Sequence, residues 1–168
     1  MAMSIRKGDW IWYFNGEIEP GAIVVLHDPL NPEQKILRRV IAIEGQTLAY
    51  DKDGVFHIDD QRIIQSDMGI FEDESTTTGK VIEEHFPSSA GVNTFSWRTI
   101  RKKESVLWEL ENTIAIPKDH FFLAADRRDE AIDSRWWGPI HKKNILGIVR
   151  LRIGHSDPWR SSYEILPH

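Results

Sequence analysis

The chain has 168 residues, 40% of them hydrophobic and 28% charged, and it contains no cysteine. That composition suits one folded domain, or one domain with an insertion, and excludes disulfides, cysteine-ligated zinc, iron–sulfur clusters and a thiol nucleophile. The 21 lysines and arginines against 26 aspartates and glutamates leave a net charge of -5, which removes the basic face that non-specific nucleic-acid binding needs.

Along the chain the pattern is one of short strands. Residues 9–14 alternate around Trp10 and Trp12 and end at Asn15-Gly16, a hairpin signal. Pro20-Gly21 turns the chain into 22–26, a β-branched run bounded by His27-Asp28-Pro29. Residues 36–43 read as a third strand, ended by Glu44-Gly45. Residues 47–50 and 55–58 flank Asp51-Lys52-Asp53-Gly54 as a hairpin, and 62–64 follow another Asp-rich turn. Residues 66–93 are polar and rich in turn formers, and read as an exposed insertion with one short strand or helical turn at 81–86. Residues 93–100 and 105–111 read as a hairpin around Arg98, Arg101, Lys102 and Lys103, a basic cluster whose plain reading is a solvated loop. Residues 113–116, 121–125 and 145–153 are the last strands expected, and 155–168 read as an irregular tail.

No run supports an amphipathic helix of about 12 residues or more, and no apolar stretch approaches the roughly 20 residues of a membrane span. The first nine residues carry charge without an apolar segment, so no signal peptide is expected. Many short strands between turn signals predict a mainly β fold. The seven tryptophans either pack its core or line an apolar groove.

Phosphate-binding glycine loops and a G-x-S-x-G elbow are missing from the sequence. The best metal candidate is His57 near Asp59 and Asp60, whose plainer reading is a strand histidine beside a turn. No cofactor and no metal are expected. One segment stands apart: residues 126–138, Asp-Arg-Arg-Asp-Glu-Ala-Ile-Asp-Ser-Arg-Trp-Trp-Gly, dense in charge and ending in two indoles. It reads as a charge-paired loop packed on a core, with guanidinium forks satisfying carboxylates.

Three boxes occur in order: Gly21-Ala-Ile-Val-Val-Leu-His-Asp-Pro29, Arg38-Arg-Val-Ile-Ala-Ile-Glu-Gly-Gln46 and Ala125 followed by the 126–138 segment. They resemble the type I signal peptidases, serine peptidases of the Ser/Lys-dyad class. The corresponding boxes of that family read G-D-I-V-V-F before a proline, K-R-V-I-G-L-P-G-D, and G-D-N-R-D-N-S-x-D-S-R-Y-W-G. The resemblance spans about residues 8–64 and 112–153. It implies signal-peptidase-like coiled antiparallel sheets, with 1–65 and 112–154 as the β body, 66–111 as a polar insertion and 155–168 as a C-terminal tail. It also implies signal peptide processing at the extracytoplasmic face of a membrane by an anchored enzyme. The implied partner is an extended peptide or protein, bound along a strand edge.

The departures from the family pattern concern the chemistry. Counting back from Gly8-Asp9, the nucleophilic serine would fall one residue before Met1, and Ser4 stands in the place of a threonine. The general-base lysine corresponds to Arg38, whose guanidinium cannot take up a proton near neutral pH. Lys35 lies an odd number of residues away on a strand and so points to the other face. The serine that hydrogen-bonds the lysine corresponds to Ala131. The structural part of the pattern is retained as Arg39 with Asp126 and Asp133 with Arg135, together with Ser134, while Ala125 and Arg127 replace a glycine and an asparagine. The expectation is a catalytically inactive signal-peptidase-like domain that binds an extended peptide or protein. The alternative is the soluble part of an active, membrane-anchored serine endopeptidase whose nucleophile lies outside this sequence. A third reading is an unrelated β module, or the β fold of self-cleaving repressors.

Overall fold

The computed structural model describes residues 5, 8–72, 78–86, 96–101, 113–155 and 163–165. In chain order the strands are β1 (Asp9–Phe14), β2 (Ile23–His27), β3 (Lys35–Ala42), β4 (Thr47–Tyr50), β5 (Phe56–Ile58), β6 (Gln61–Arg62), β7 (Ile64–Glu72), β8 (Thr78–His85), β9 (Ser96–Arg101), β10 (Ile114–Ala115), β11 (His120–Ala124), β12 (Ile140–His141), β13 (Ile145–His155) and β14 (Tyr163–Ile165). A four-residue helix, α1 (Ser134–Trp137), and a 3-10 turn at Lys142–Asn144 complete the elements. The fold is mainly β, and the ladders between strands are antiparallel.

The largest sheet runs β1-β13-β2-β3-β11-β12, with β14 also on β13. Its central strand, β2, is apolar without alternation because both faces are covered: Ile23, Val24, Val25 and Leu26 are all buried. One face packs Val24, Leu26, Val40, Leu123 and Ile148, and the other packs Ile23, Val25 and Val149. A smaller sheet, β10-β4-β5-β6, adds Leu48, Tyr50, Phe56 and Ile58 to a cluster with Ile41 and Phe122. Phe56 sits 4.7 Å from Tyr50 and edge-on to Phe122 at 5.9 Å. Gly147 lets β1 cross β13 closely, since a Cβ there would lie 2.8 Å from both Phe14 O and Tyr13 Cδ2.

The third sheet, β7-β8-β9, departs from the sequence expectation. In place of one short strand at 81–86 there are two long strands, Ile64–Glu72 and Thr78–His85. The turn formers that suggested a loop build a bulge instead. Asp67 Oδ1 accepts the Gly69 N–H at 2.9 Å, Gly69 has φ 103°, and pairing resumes at Ile70. Strand β9 pairs with β8, whereas the proposed partner 105–111 lies outside the described residues. Part of the tail read as irregular is also ordered, because Tyr163–Ile165 pairs with Leu151–Ile153. Trp97 is buried, but Trp10 and Trp12 on edge strand β1 are 67% and 55% exposed, so these two do not build the core. Among the described residues no helix is long and apolar enough to cross a membrane.

Candidate functional site

Adjacent residues on a strand point to opposite faces, and this divides Arg38 from Arg39 on β3. Arg39 lies opposite Ala124 of β11, at the mouth of the charged segment. Its Nε and Nη2 donate to the two Asp126 oxygens at 2.8 Å each, and Nη1 donates to Gly21 O at 2.7 Å. The pair is buried and bidentate. Burial works to raise the Asp126 carboxyl, but the charge and hydrogen bonds of Arg39, with Arg128 behind it, outweigh that and hold it well below the ordinary carboxylate range.

Asp133 and Ser134 fasten the far end of the segment. Asp133 caps α1 through the Arg135 N–H at 3.1 Å and accepts Arg135 Nε and Nη2 at 2.8 Å each. Its Oδ2 also takes the Ala125 N–H at 2.9 Å, and Ser134 Oγ accepts the Leu123 N–H at 3.0 Å. Both side chains are therefore tied back to β11 and the residue after it. Burial lowers the Arg135 pKa, and its bonds to Asp133 reverse the shift to a net rise. The helix stops at Gly138, whose φ of 75° suits glycine.

On the other face Arg38 lies beside Val24 in the β2–β3 ladder and is half-buried. Its Nε and Nη2 converge on Ile132 O at 3.3 and 2.7 Å, and Nη1 donates to Leu37 O at 2.6 Å. The guanidinium carbon stands 5.7 Å from the Trp137 ring centre. Burial lowers its pKa, with the negative charges of Asp133 and Asp28 opposing. Ala131, half-buried, directly precedes Ile132 and carries only a methyl group. Lys35 is exposed, with its ammonium 6.0 Å from the Tyr13 ring.

A second buried pair has no counterpart in the sequence reading. Glu84 of β8 accepts Arg128 Nη2 at 2.5 Å and Trp97 Nε1 at 3.0 Å through one oxygen, and Gln65 Nε2 at 3.1 Å through the other. Arg128 also donates to Ala125 O at 2.9 Å and lies 5.1 Å from the Phe56 ring. The backbone joins in: Ile100 N–H donates to Asp126 O at 2.8 Å, and Arg128 N–H to Ile100 O at 3.2 Å. The third sheet is thus clipped to the charged segment rather than standing off as an exposed insertion. The one signal in the sequence is Glu84 standing between Ile82 and Phe86 at alternate positions of a strand.

His57 meets Asp51 at 2.9 Å rather than Asp59. Asp59 and Asp60, at φ 49° and 63°, form the two-residue β5–β6 turn. Among the described residues no group of three or more acidic or histidine side chains is placed to hold a metal ion.

Residues 1–154 match the family described as signal peptidase, peptidase S26. The chain belongs to that family. It is similar to signal peptidase I of Pseudomonas aeruginosa, 28% identical over 138 residues that make up 80% of this chain and 45% of the relative. Signal peptidase I V of Bacillus subtilis is 26% identical over 119 residues, 70% of this chain and 58% of the relative. The chain spans about half the length of the curated signal peptidases it matches. A crystal structure of a signal peptidase I from Enterococcus faecalis aligns over 80% of this chain and 98% of that one, with a TM-score of 0.48 and 19% identity.

Proposed function

We propose that this chain is a signal-peptidase-like β domain that binds an extended peptide or protein and does not cleave it. The observation that carries the reading is Arg38. A lysine base in a serine peptidase must lose its proton, and burial lowers an ammonium far enough for that. A guanidinium starts about two units higher and stays protonated, so the pull of burial on Arg38 does not make it a base. Its N–H groups face the Ile132 and Leu37 carbonyls, so the group acts only as a donor there. Ala131 removes the hydroxyl that would orient a lysine. On this reading Arg39–Asp126, Asp133–Arg135 and Ser134 serve the scaffold, not the chemistry. The net charge of -5 speaks against nucleic acid as the partner.

The second reading is the soluble part of an active, membrane-anchored serine endopeptidase that processes signal peptides. The family match over residues 1–154 favours it. One experiment separates the two: a preprotein cleavage assay on the chain extended by a membrane segment and a Ser-Met box, with Arg38 or with Arg38→Lys. Cleavage confined to the Arg38→Lys form supports the first reading. Cleavage by the Arg38 form at a similar rate supports the second.

A further inference from the structure

Four of the five arginines on β3 and the charged segment are matched with their own carboxylates. Arg39 holds Asp126 at 2.8 Å, Arg135 holds Asp133 at 2.8 Å, Arg128 holds Glu84 at 2.5 Å and Arg127 holds Glu130 at 2.8 Å. Arg38 is the exception. Its bonds go to two backbone carbonyls, and it forms no ion pair among the described residues. Of its five N–H groups, one on Nη1 and one on Nη2 have no partner among the described residues. Neighbouring carboxylates are committed elsewhere. Asp126 and Asp133 each hold an arginine of their own, and Asp28, whose charge also acts on Arg38, accepts the Leu30 N–H through Oδ1 at 2.9 Å.

A half-buried permanent cation with a donor open on each terminal nitrogen suits the two oxygens of a carboxylate. Its orientation is already fixed by Ile132 O and Leu37 O, so little freedom is lost on binding. Apolar surface borders it: the Trp137 ring lies beside the guanidinium, and Ile132 is 45% exposed at its edge. That pairing of a fixed fork with apolar surface fits a carboxylate attached directly to an apolar residue.

We infer that Arg38 is the binding site for the C-terminal carboxylate of a peptide whose last residues are apolar. The inference rests on the non-cleaving, peptide-binding reading and adds the chemical group that the site recognises. In that role the arginine replaces proton transfer with recognition of a free chain end.

The test is calorimetric titration of the whole chain with N-acetyl-Ala-Ala-Ala as the free acid, as its C-terminal amide, and with N-acetyl-Ala-Glu-Ala amide and acetate as controls. The free acid is expected to bind at least about 10-fold tighter than the amide, the size of a charge-assisted pair. Arg38→Met should bring the acid down to the amide's affinity, and Arg38→Lys should keep part of the difference. In ¹⁵N-labelled protein the free acid should shift the Ile132 amide and the Trp137 indole, a readout that needs no variant to fold. Equal binding of acid and amide overturns the carboxylate site and leaves peptide binding standing. Acetate or the Glu peptide binding as tightly as the free acid overturns the assignment to a chain end. No binding of any probe to folded protein overturns both the site and the peptide-binding reading. Cleavage in the preprotein assay, by contrast, overturns the non-cleaving reading and leaves the acid–amide comparison to stand or fall by itself.

Discussion

Arg38 and Arg39, neighbours on β3, leave the strand on opposite faces and meet opposite chemistry: Arg39 closes a buried fork on Asp126 at 2.8 Å, and the hydrogen bonds of Arg38 go to the carbonyl oxygens of Ile132 and Leu37. One of the two is therefore committed to the scaffold, and the other is a cation that forms no ion pair among the described residues.

Breaking the buried fork should be costly. Asp126→Asn leaves the Arg39 guanidinium, 6% exposed, without its partner charge. A loss of about 3–5 kcal/mol is expected in urea unfolding, because a buried guanidinium loses the carboxylate it holds bidentately. Replacing both residues by apolar ones of similar volume should cost less than the single change. A single change that costs under 1 kcal/mol would show that the pair is not closed in solution.

The clip between the third sheet and the charged segment gives an internal comparison on β8. Glu84→Gln removes the charge from a fully buried site holding Arg128 and Trp97. Glu83→Gln removes only looser pairs, with half-exposed Arg98 at 3.7 Å and with His85 at 3.6 Å. Thermal unfolding should register about 3 kcal/mol for Glu84 and less than about 1 kcal/mol for Glu83. Hydrogen exchange at the Ile100 and Arg128 amides should rise in the Glu84 variant alone.

A pH effect follows from Asp51. Burial pushes its carboxyl up, but hydrogen bonds from His57, the Val55 amide and Arg62 bring it from an ordinary 3.8 down to about 2. A folded-state pKa below the unfolded one contributes stability above the unfolded value, lost as pH falls through the folded value. The stability difference between the native chain and Asp51→Asn should hold from neutral pH to about 4 and disappear by about pH 2. Urea midpoints against pH check this, and a difference unchanged at pH 2 would contradict it. Asp126, lowered in the same direction, contributes acid sensitivity of the same sign.

Gly147 is the tight point between β1 and β13. Gly147→Ala places a methyl 2.8 Å from Phe14 O, so β1 has to move away, at about 1–3 kcal/mol. Exchange at the amides of Asp9–Phe14 should rise more than at β2. Uniform protection would mean that the strands separate without strain.

The main sheet was legible because β2 and β3 are dense in β-branched residues and bounded by turn formers such as Pro20-Gly21 and Glu44-Gly45. The third sheet was not, because Asp67 and Gly69 are turn formers that the structure uses in a bulge within a continuing strand. Helix α1 escaped for a different reason: four residues carry no 3.6-residue period. At the site, the identity of Arg38 could be read from its box, but its partners could not. Both acceptors are backbone carbonyls, and a carbonyl has no signature in sequence. Arg128 likewise finds Glu84 across 44 positions, a pairing created by the docking of two sheets.

The central claim is that Arg38 cannot act as the base. Its most direct test is single-turnover cleavage of a preprotein by the chain carrying a membrane segment and Ser-Met box, compared with its Arg38→Lys variant over pH 6 to 10. The expected result is no cleavage above background with Arg38 at any pH, and cleavage that rises with pH in Arg38→Lys. Cleavage by the Arg38 form, lost on replacing the serine, would contradict it.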